Sequence, residues 1–372
     1  MDYLTLDAAM ARALELAARG PARGPNPQVG CVLLASAEPT DPAAPAVPRP
    51  GEAVAPAVPR PGEVAGVPRR VLAQGWHRGA GTPHAEADAL TRAAAAGIDV
   101  TGATAVVTLE PCSHTGRTGP CAQALAEAGV ADVVVSVPDP TETAGGGADL
   151  LRSRGVQVTT GIRRAEGEAL LRVWLTAVRR GTPYVTLKTA STLDGCVAAA
   201  DGTSQWITGS VAREHAHVVR SQVDAILVGT GTVLADDPSL TARPAAGRAD
   251  QPLRVVVGHR EVPPDARLRS GAPYLHLRTH DVAEVLAELA AREIRHVLVE
   301  GGPGLATAFL RAGAVDEVHA YLAPVLLGTG HRMIGDLGAA TLADAPRLTT
   351  VAVHQLGEDV LVVARAHREA LS

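Results

Sequence analysis

The chain carries His84-Ala85-Glu86, then Pro111-Cys112, then Cys121, and these residues decide how its amino-terminal half must fold. One imidazole and two thiols within about forty residues form a ligand set for zinc, which binds nitrogen and sulfur in tetrahedral geometry. Three protein ligands leave the fourth position open for water, and the metal lowers the pKa of that water from about 15.7 to about 7. Glu86 is a carboxylate outside this ligand set and is suited to proton transfer. The pattern therefore predicts a hydrolytic zinc site that removes an amino group.

The sequence around these residues predicts the local structure that would bring them together. Thr82-Pro83 is typical of a helix start, and the Ala-rich residues 85–96 predict a helix that ends at Gly97. Residues 105–109 predict a buried strand that ends shortly before the first cysteine of the pair. Cys121 is expected to open a second helix, whose positive end favours a thiolate.

Two other interpretations of the histidine and the cysteines remain open at this point. The cysteines could be buried as small hydrophobic residues, or the zinc could be structural. A structural site usually closes with four Cys or His ligands, and His114 between the cysteines would then be the fourth. The unused carboxylate of Glu86 favours the hydrolytic interpretation.

Four stretches of the amino-terminal half extend the pattern beyond these ligands. They are Asn26-Pro27-Gln28-Val29-Gly30-Cys31, Gly75-Trp76-His77, His84-Ala85-Glu86 and Glu110-Pro111-Cys112-Ser113-His114-Thr115-Gly116-Arg117-Thr118-Gly119-Pro120-Cys121. Together they resemble the deaminase half of the bifunctional riboflavin-biosynthesis deaminase/reductase family. Eight residues separate the two cysteines, whereas the signature of nucleobase deaminases has two. The resemblance implies a cytidine-deaminase-like three-layer α/β domain in which Asn26, His77, His114 and Arg117 contact the substrate.

Composition argues against several classes of function. The net charge of −5 and the pI near 6.2 disfavour a phosphate-backbone footprint, and 2% aromatic residues leave few side chains to stack on bases. We therefore predict no nucleic-acid partner. No apolar stretch approaches about eighteen residues, and the amino terminus lacks a basic and then apolar pattern, so we predict neither a membrane partner nor a signal peptide. A cytoplasmic enzyme with reduced cysteines is the expectation.

Residues 37–70 have the composition of a surface insertion. The stretch Pro45-Ala46-Val47-Pro48-Arg49-Pro50-Gly51-Glu52 recurs at 56–63, which gives an eleven-residue repeat rich in proline. Such a repeat favours extended conformations rather than a packed core. It separates two short apolar runs that a hairpin turn would otherwise join, and hairpin tips tolerate insertions. A ligand for a proline-binding partner is the alternative.

Further elements complete the first domain. The predicted strands are 133–137 and 156–160, and the predicted helices are 148–154 and 165–178. This alternation indicates an α/β domain with a mixed sheet. The helix 165–178 ends at Arg179-Arg180-Gly181-Thr182-Pro183, so we place the first domain at 1–181 and the second at 182–372.

The second domain opens with the predicted strand Tyr184-Val185-Thr186-Leu187-Lys188, which carries the only lysine of the chain. An ammonium and a guanidinium are not interchangeable, so a single lysine among so many arginines indicates a functional position. The alternative is a chance survivor of a GC-rich coding sequence.

The carboxy-terminal half contains a second group of motifs. They are Lys188-Thr189-Ala190-Ser191-Thr192-Leu193-Asp194-Gly195, Ser204-Gln205-Trp206-Ile207-Thr208-Gly209, Arg220, residues 224–238, Leu240, Arg243 and Glu300-Gly301-Gly302-Pro303-Gly304. The last of these lies between a predicted strand at 294–299 and a predicted helix at 305–311, where glycines allow close backbone approach to a phosphate. Together they resemble the reductase half of the same family. The resemblance implies a dihydrofolate-reductase-like α/β domain that uses NADPH.

Residue roles in the second domain follow from that resemblance. The cofactor side would comprise Ala190, Trp206, Thr232, Asp236, Gly302, Pro303 and Gly304. The substrate side would comprise Ser204, Arg220, Leu240, Arg243 and Glu300. Arg220 and Arg243 suit a sugar phosphate, because a guanidinium fork matches phosphate oxygens, although surface solubility would also explain them. Lys188 and Asp236 are the candidates for assisting protonation of the sugar oxygen or imine nitrogen.

The sequence as a whole thus predicts two consecutive reactions on a phosphoribosylaminopyrimidine. The first domain would remove an exocyclic amine with zinc and Glu86, and the second would reduce the ribosyl group to ribityl with NADPH. The resemblance also implies a homo-oligomer. Two alternatives remain: a deaminase whose second domain only binds nucleotides or regulates, and a noncatalytic zinc-stabilised scaffold that recruits partners through the proline-rich segment.

Overall fold

The computed structural model of the protein describes residues 2–36, 66–114, 119–243 and 251–366. Most of the predicted insertion 37–70 lies outside the described residues, and so does Arg117. The end of that insertion is an exception, because Arg69 and Arg70 already belong to a strand.

Contacts divide the chain into two compact units. The first comprises residues 1–22 and 26–175, and the second comprises 23–25 and 176–372. The domain junction at 181 stays a prediction.

The first unit alternates strands and helices. Its elements are β1 (Tyr3–Leu4), α1 (Leu6–Ala17), β2 (Gly30–Leu34), β3 (Arg69–Trp76), α2 (Ala85–Ala95), β4 (Thr104–Leu109), α3 (Cys121–Glu127), β5 (Asp132–Val137), α4 (Gly147–Ser153), β6 (Gln157–Thr160) and α5 (Arg164–Arg180). The last residues of α5, 176–180, already belong to the second unit. The strands form one sheet in the order β1-β3-β2-β4-β5-β6. β4, β5 and β6 run parallel, whereas β1, β2 and β3 pair in antiparallel fashion.

Both faces of this sheet are covered, and the sequence shows why. All six residues of β4 are buried, as expected of a strand whose alternating side chains reach a core on either side. On one face, Val107 and its neighbours pack with Ala85 and Ala89 of α2. On the other face, Val106 packs with Met10 of α1. Helix, sheet and helix therefore form three layers, as the order of elements predicted.

The second unit is built around a larger sheet. Its elements are β7 (Tyr184–Thr192), β8 (Cys196–Ala199), α6 (Ser210–Ser221), β9 (Ala225–Gly229), α7 (Thr230–Asp236), β10 (Leu253–Val257), a 3-10 turn (Arg267–Arg269), β11 (Tyr274–Leu277), α8 (Val282–Ala291), β12 (His296–Gly301), α9 (Pro303–Arg311), β13 (Glu317–Ala323), β14 (Gly330–Arg332), β15 (Leu348–Leu356) and β16 (Asp359–Ala366). Eight strands lie in the order β11-β10-β9-β12-β7-β13-β16-β15, and β14 pairs with β8 separately.

The strand directions in the larger sheet determine where its ligand cleft can form. The six strands from β11 to β13 are parallel, and β16 and β15 add an antiparallel edge. Their carboxyl ends therefore meet along one edge of the sheet. In open α/β sheets, ligands bind in the crevice outside these ends.

Among the described residues, no helix has the length and apolar character needed to cross a membrane.

Candidate functional site

Three side chains of the first unit converge as a metal site would require. The ligand atoms of His84, Cys112 and Cys121 all lie within 4.8 Å of one another. Nδ1 of His84 is 3.6 Å from the sulfur of Cys112 and 3.4 Å from the sulfur of Cys121. Tetrahedral zinc with Zn–S near 2.3 Å and Zn–N near 2.0–2.1 Å would hold nitrogen and sulfur about 3.6 Å apart. The donor set and its spacing thus fit zinc.

Secondary structure determines these positions. His84 is the N-cap of α2, with extended backbone, so its side chain projects from the start of that helix. Cys121 is the first residue of α3, and its backbone N–H lies 3.4 Å from the sulfur of Cys112. The N–H of Ala122 donates to the carbonyl of Cys112. The start of α3 is therefore bonded directly to the loop after β4, which fixes one thiol beside the other.

Glu86 lies on the first turn of α2, and only 3% of its surface is exposed. Burial raises the pKa of its carboxyl to about 7. Hydrogen bonding from Cys121 lowers the pKa of the Cys112 thiol, and the adjacent His84 lowers it further. The centre thus favours a thiolate ligand beside a carboxyl that exchanges protons near neutral pH.

Asn26 and His77 form a hydrogen-bonded pair next to this centre. Nε2 of His77 lies 2.9 Å from the amide nitrogen of Asn26, and Nδ1 lies 3.0 Å from the carbonyl of Pro83. The amide donates to Nε2, so Nδ1 carries the hydrogen that the carbonyl accepts. Burial lowers the pKa of His77, in keeping with this neutral tautomer. Both ring nitrogens have partners, so His77 orients Asn26, whose amide oxygen accepts no hydrogen bond within the described residues and can face a ligand.

The loop between the two cysteines is only partly described. His114 is exposed, whereas Arg117 lies outside the described residues. Their predicted substrate contacts stay predictions.

The second unit contains a cleft of about 700 Å³. Residues at the carboxyl ends of β9, β10 and β12 line it, together with part of β7. Nine of the predicted site residues lie on its wall: Lys188, Ala190, Ser204, Thr232, Asp236, Glu300, Gly302, Pro303 and Gly304.

The glycine turn after β12 makes room for a ligand in this cleft. Gly301 has a φ of 105°, a conformation that favours glycine. A Cβ at Gly302 would lie 3.2 Å from the hydroxyl of Thr232. Glycine at this position therefore leaves the space between the turn and Thr232 open. The open wall and this close backbone approach fit a dinucleotide with its phosphates near the turn.

Arg220 and Glu300 form a partly buried ion pair at the cleft. Nε and Nη2 of Arg220 donate to the two carboxylate oxygens of Glu300 at 2.5 and 2.6 Å. Burial alone would raise the pKa of Glu300, but Arg220 lowers it to about 2. Burial also lowers the pKa of the nearby Lys188 ammonium, while Glu300 opposes that shift. The cleft therefore holds a fixed carboxylate beside a lysine that releases its proton more readily than usual.

Four predicted site residues lie elsewhere within the described part of the unit. Arg220 stands behind Glu300 and not on the cleft wall. Leu240 is buried in a core cluster with Ile226 and Val228, so its side chain is not available to a ligand. Trp206 is 70% exposed under the guanidinium of Arg213, and Arg243 is an exposed neighbour of His217.

Other residues on the cleft wall were missed by the sequence analysis. They include Arg260, His280, His331 and Met333. Thr230 also lines the cleft; it lies within the motif 224–238, in which the resemblance assigns no role to that position. The sequence signal for Arg260 and His280 was weak, because each simply follows a short apolar strand by three residues. These positions reach the cleft only because β10 and β11 lie parallel to β9 in the sheet.

Comparisons with known proteins agree with this geometry. The family model of the cytidine and deoxycytidylate deaminase zinc-binding region matches residues 5–137, and that of the RibD C-terminal domain matches 183–362. The riboflavin biosynthesis protein RibD of Mycobacterium tuberculosis H37Rv is 49% identical over 79% of this chain and 86% of its own. The chain belongs to the RibD family. RibD of Escherichia coli K12 is 37% identical over 94% of this chain and 96% of its own.

Solved RibD structures cover both units. The crystal structure of a Thermotoga maritima diaminohydroxyphosphoribosylaminopyrimidine deaminase/5-amino-6-(5-phosphoribosylamino)uracil reductase is 32% identical, with a TM-score of 0.80 over 97% of this chain and 98% of its own. One form of Acinetobacter baumannii RibD is 34% identical, with a TM-score of 0.83 over 98% and 99% of the two chains. The predicted cytidine-deaminase-like domain followed by a dihydrofolate-reductase-like domain is confirmed.

Membership of the RibD family establishes the general activity. The chain is a bifunctional deaminase and reductase of riboflavin biosynthesis, and it carries both the zinc-binding deaminase region and the reductase domain. It acts on a small-molecule substrate, with zinc and NADPH as cofactors.

Proposed function

We propose that the first unit hydrolyses the exocyclic amine of 2,5-diamino-6-(5-phosphoribosylamino)pyrimidin-4-one, and that the second unit then reduces the ribosyl group to ribityl with NADPH. The substrate named for the Thermotoga maritima relative supports this assignment. The observation that carries the deaminase step is the buried carboxylate of Glu86 beside three converging zinc ligands. The division of the two activities near residue 181 belongs to the same proposal.

In the deaminase site, each side chain has a separate task. When bound by His84, Cys112 and Cys121, zinc would supply a water acidic enough to attack the ring carbon. Glu86 takes one proton from the attacking water and delivers it to the ring nitrogen. It then takes the remaining proton of the added oxygen and delivers it to the amino group, which departs as ammonia while the ring carbonyl forms. The His77–Asn26 pair positions the pyrimidine through the free amide oxygen, and His114 and Arg117 of the inter-cysteine loop contact the rest of the substrate.

In the reductase site, NADPH when bound would supply the hydride. The glycine turn Gly302-Pro303-Gly304 takes the cofactor phosphates together with Thr232. Lys188 donates a proton to the sugar oxygen or imine nitrogen, because burial lowers its pKa, and Asp236 on the same cleft wall assists. Glu300 contacts the substrate, and Arg220 holds Glu300 in place rather than binding phosphate itself. Of the two arginines assigned to the substrate, Arg243 is exposed and is therefore the one that contacts the sugar phosphate.

The experiment follows both reactions in one tube. Purified full-length protein loaded with zinc is given the diaminopyrimidinone ribosylamine phosphate and NADPH, and ammonia release and NADPH oxidation are recorded together. The wild type is expected to show both signals. Glu86→Gln is expected to keep its zinc and lose ammonia release, since only the proton carrier is removed. Lys188→Gln is expected to lose NADPH oxidation while ammonia release continues.

A matched control is Glu127→Gln, which alters an exposed carboxylate of α3 in the same unit. It is expected to behave as wild type. Ammonia release without NADPH oxidation by the wild type would leave the second unit as a binding or regulatory module. Equal activity in Glu86→Gln and wild type would refute the role of Glu86. The homo-oligomer and the cytoplasmic location predicted from the sequence also stay proposals, which gel filtration and cell fractionation would test.

A further inference from the structure

The reductase cleft extends well beyond the residues expected to react. In the order β11-β10-β9-β12-β7, the reacting side chains Lys188 and Glu300 lie on β7 and β12. Neighbouring strands lie about 4.8 Å apart, so the end of β10 is about 10 Å from that of β12. The wall nevertheless continues to Val257 at the end of β10 and to His280 after β11. A ligand that fills the cleft must therefore be long, and its far end lies beside β10 and β11.

Arg260 occupies this far end. It follows β10 by three residues and lines the cleft. Its Nη2 lies 2.8 Å from the position that a Cβ on Gly231 would take, so the guanidinium lies over the first turn of α7, directly after β9. Within the described residues, Arg260 makes no ion pair or hydrogen bond, whereas the adjacent Glu261 is held by Arg278 at 2.7 Å.

Three loops meet around this arginine. A Cβ on Gly258 would lie 2.8 Å from the hydroxyl of Thr230 and 3.4 Å from the ring of His280. The ring of His280 packs edge-on against that of His259, with centroids 4.9 Å apart. Thr230 and His280 thus present a hydroxyl and an imidazole to the same end of the cleft as Arg260. A guanidinium, a hydroxyl and an imidazole together form a typical environment for a phosphate monoester.

We propose that Arg260, together with His280, binds the 2′-phosphate of NADPH and thereby makes the reductase select NADPH over NADH. This inference rests on the proposed function, in which the second unit binds NADPH with its reacting end near Lys188 and Glu300. The 2′-phosphate is the dianionic group of the cofactor farthest from that end, and NADH lacks it. The sugar phosphate of the substrate has the same chemistry, but the substrate must lie near Lys188 and Glu300, away from β10.

The test measures binding rather than turnover. Dissociation constants of NADPH, NADH and 2′,5′-ADP are determined by calorimetry for wild type, Arg260→Gln and Arg260→Lys. Removing charge-assisted hydrogen bonds from a phosphate is expected to weaken NADPH binding by about 10- to 100-fold and to abolish competition by 2′,5′-ADP. NADH binding is expected to change by less than about threefold, because that ligand carries no group at Arg260. Arg260→Lys keeps the positive charge but loses the planar guanidinium, so its affinity for NADPH is expected to lie between those of the wild type and Arg260→Gln.

Arg278→Gln is the matched control. It removes the same charge from the residue that follows the neighbouring strand β11, but its guanidinium is occupied by Glu261, so NADPH binding is expected to stay unchanged. Equal weakening of NADPH and NADH by Arg260→Gln, or no weakening of either, would overturn the inference. A higher KM for the sugar-phosphate substrate with unaltered NADPH binding would also overturn it, because the phosphate held would be that of the substrate. Failure of the wild type to bind NADPH would instead refute the proposed function.

Discussion

Arg220 and Glu300 lie eighty residues apart in the chain and form a two-pronged ion pair at the reductase cleft. Only 18% of the arginine side chain and 7% of the glutamate side chain are exposed. The third guanidinium nitrogen, Nη1, donates a hydrogen bond to the backbone carbonyl of Thr241. The guanidinium is therefore largely occupied by protein groups, and its main effect is to hold one carboxylate ionised and in place next to Lys188.

Glu300→Gln is expected to lower NADPH oxidation by about tenfold or more, because a charge-assisted hydrogen bond contributes about 1.5–3 kcal/mol and the change leaves Arg220 without its counter-charge. The pKa of Lys188 would fall further, since Glu300 raises it. Ammonia release is expected to stay at the wild-type rate. Parallel assays of both reactions measure the effect.

Glu261→Gln provides the comparison for this variant. Glu261 also binds an arginine through both oxygens, but that pair is exposed and screened by solvent, so its loss is expected to change neither the stability nor either reaction rate measurably. If Glu300→Gln kept the wild-type rate of NADPH oxidation, the fixed carboxylate would have no part in the reaction.

Asp88 joins α2 to the end of β3, next to the predicted substrate contact His77. Its carboxylate accepts two hydrogen bonds from Arg78, one from Arg92 and one from the backbone of Trp76. Asp88→Asn is expected to destabilise the protein by about 1–3 kcal/mol, because a buried acceptor loses its charge among two guanidiniums. Denaturant unfolding measures this change, and the KM of the deaminase reaction is expected to rise as His77 shifts.

Asp149→Asn is the control for Asp88, since Asp149 pairs with Arg152 on a helix surface and its side chain is 86% exposed. Its replacement is expected to change stability by less than about 0.5 kcal/mol. Similar losses in the two variants would show that Asp88 contributes no more than an exposed carboxylate.

Gly147 is the first residue of α4 and lies against the loop that carries Cys112. A Cβ at this position would be 1.7 Å from the carbonyl oxygen of Pro111, which is far inside contact distance. Gly147→Ala is therefore expected to displace Pro111, to destabilise the first unit by about 3 kcal/mol or more and to lower the zinc content and ammonia release together.

Gly66→Ala is the control for that substitution, because a Cβ there would meet no atom of the described part of the chain within 4 Å. Metal analysis and ammonia release of both variants decide the outcome. A fully zinc-loaded Gly147→Ala enzyme would mean that the loop before Cys112 can move without loss of the site.

The metal centre could be predicted from the sequence because local signals mark the elements that carry its residues. Pro83 precedes the start of a helix, an apolar run ends shortly before Cys112, and Cys121 begins an Ala-rich stretch. Each of these signals acts over a few residues, and the structure has the corresponding α2, β4 and α3 within one or two residues of the predicted bounds.

The reductase cleft was harder to predict because long-range contacts determine its chemistry. Considered from the sequence alone, Arg220 is suited to bind a phosphate. Only the fold shows that its Nε and Nη2 already donate to the carboxylate of Glu300. Leu240 has a φ of 49° and turns its side chain into the core, which no neighbour in the sequence signals. Arg260 reaches the cleft only because β10 lies between β9 and β11 in the sheet.

His296 begins β12, and burial lowers its pKa to about 4, although Asp224 and Glu317 oppose the shift and His319 adds to it. Its folded-state pKa is below the unfolded value of 6.5, so the unfolded chain binds more protons between these values. Stability from this residue is therefore fully present above pH 6.5 and is lost as the pH falls towards 4, by at most about 3 kcal/mol.

Two measurements test His296. Its ring NMR signal, assigned by its disappearance in His296→Gln, is expected to titrate near pH 4 rather than 6.5. Glutamine can still bond the hydroxyl of Thr186, which lies 2.8 Å from Nε2, so the variant is expected to fold. Between pH 7.5 and 5, the unfolding midpoint in denaturant should fall more for the wild type than for His296→Gln, because only the wild type must keep the partly buried imidazole at this position neutral. Equal pH dependence in both proteins, or a ring that titrates near 6.5, would contradict the buried neutral state.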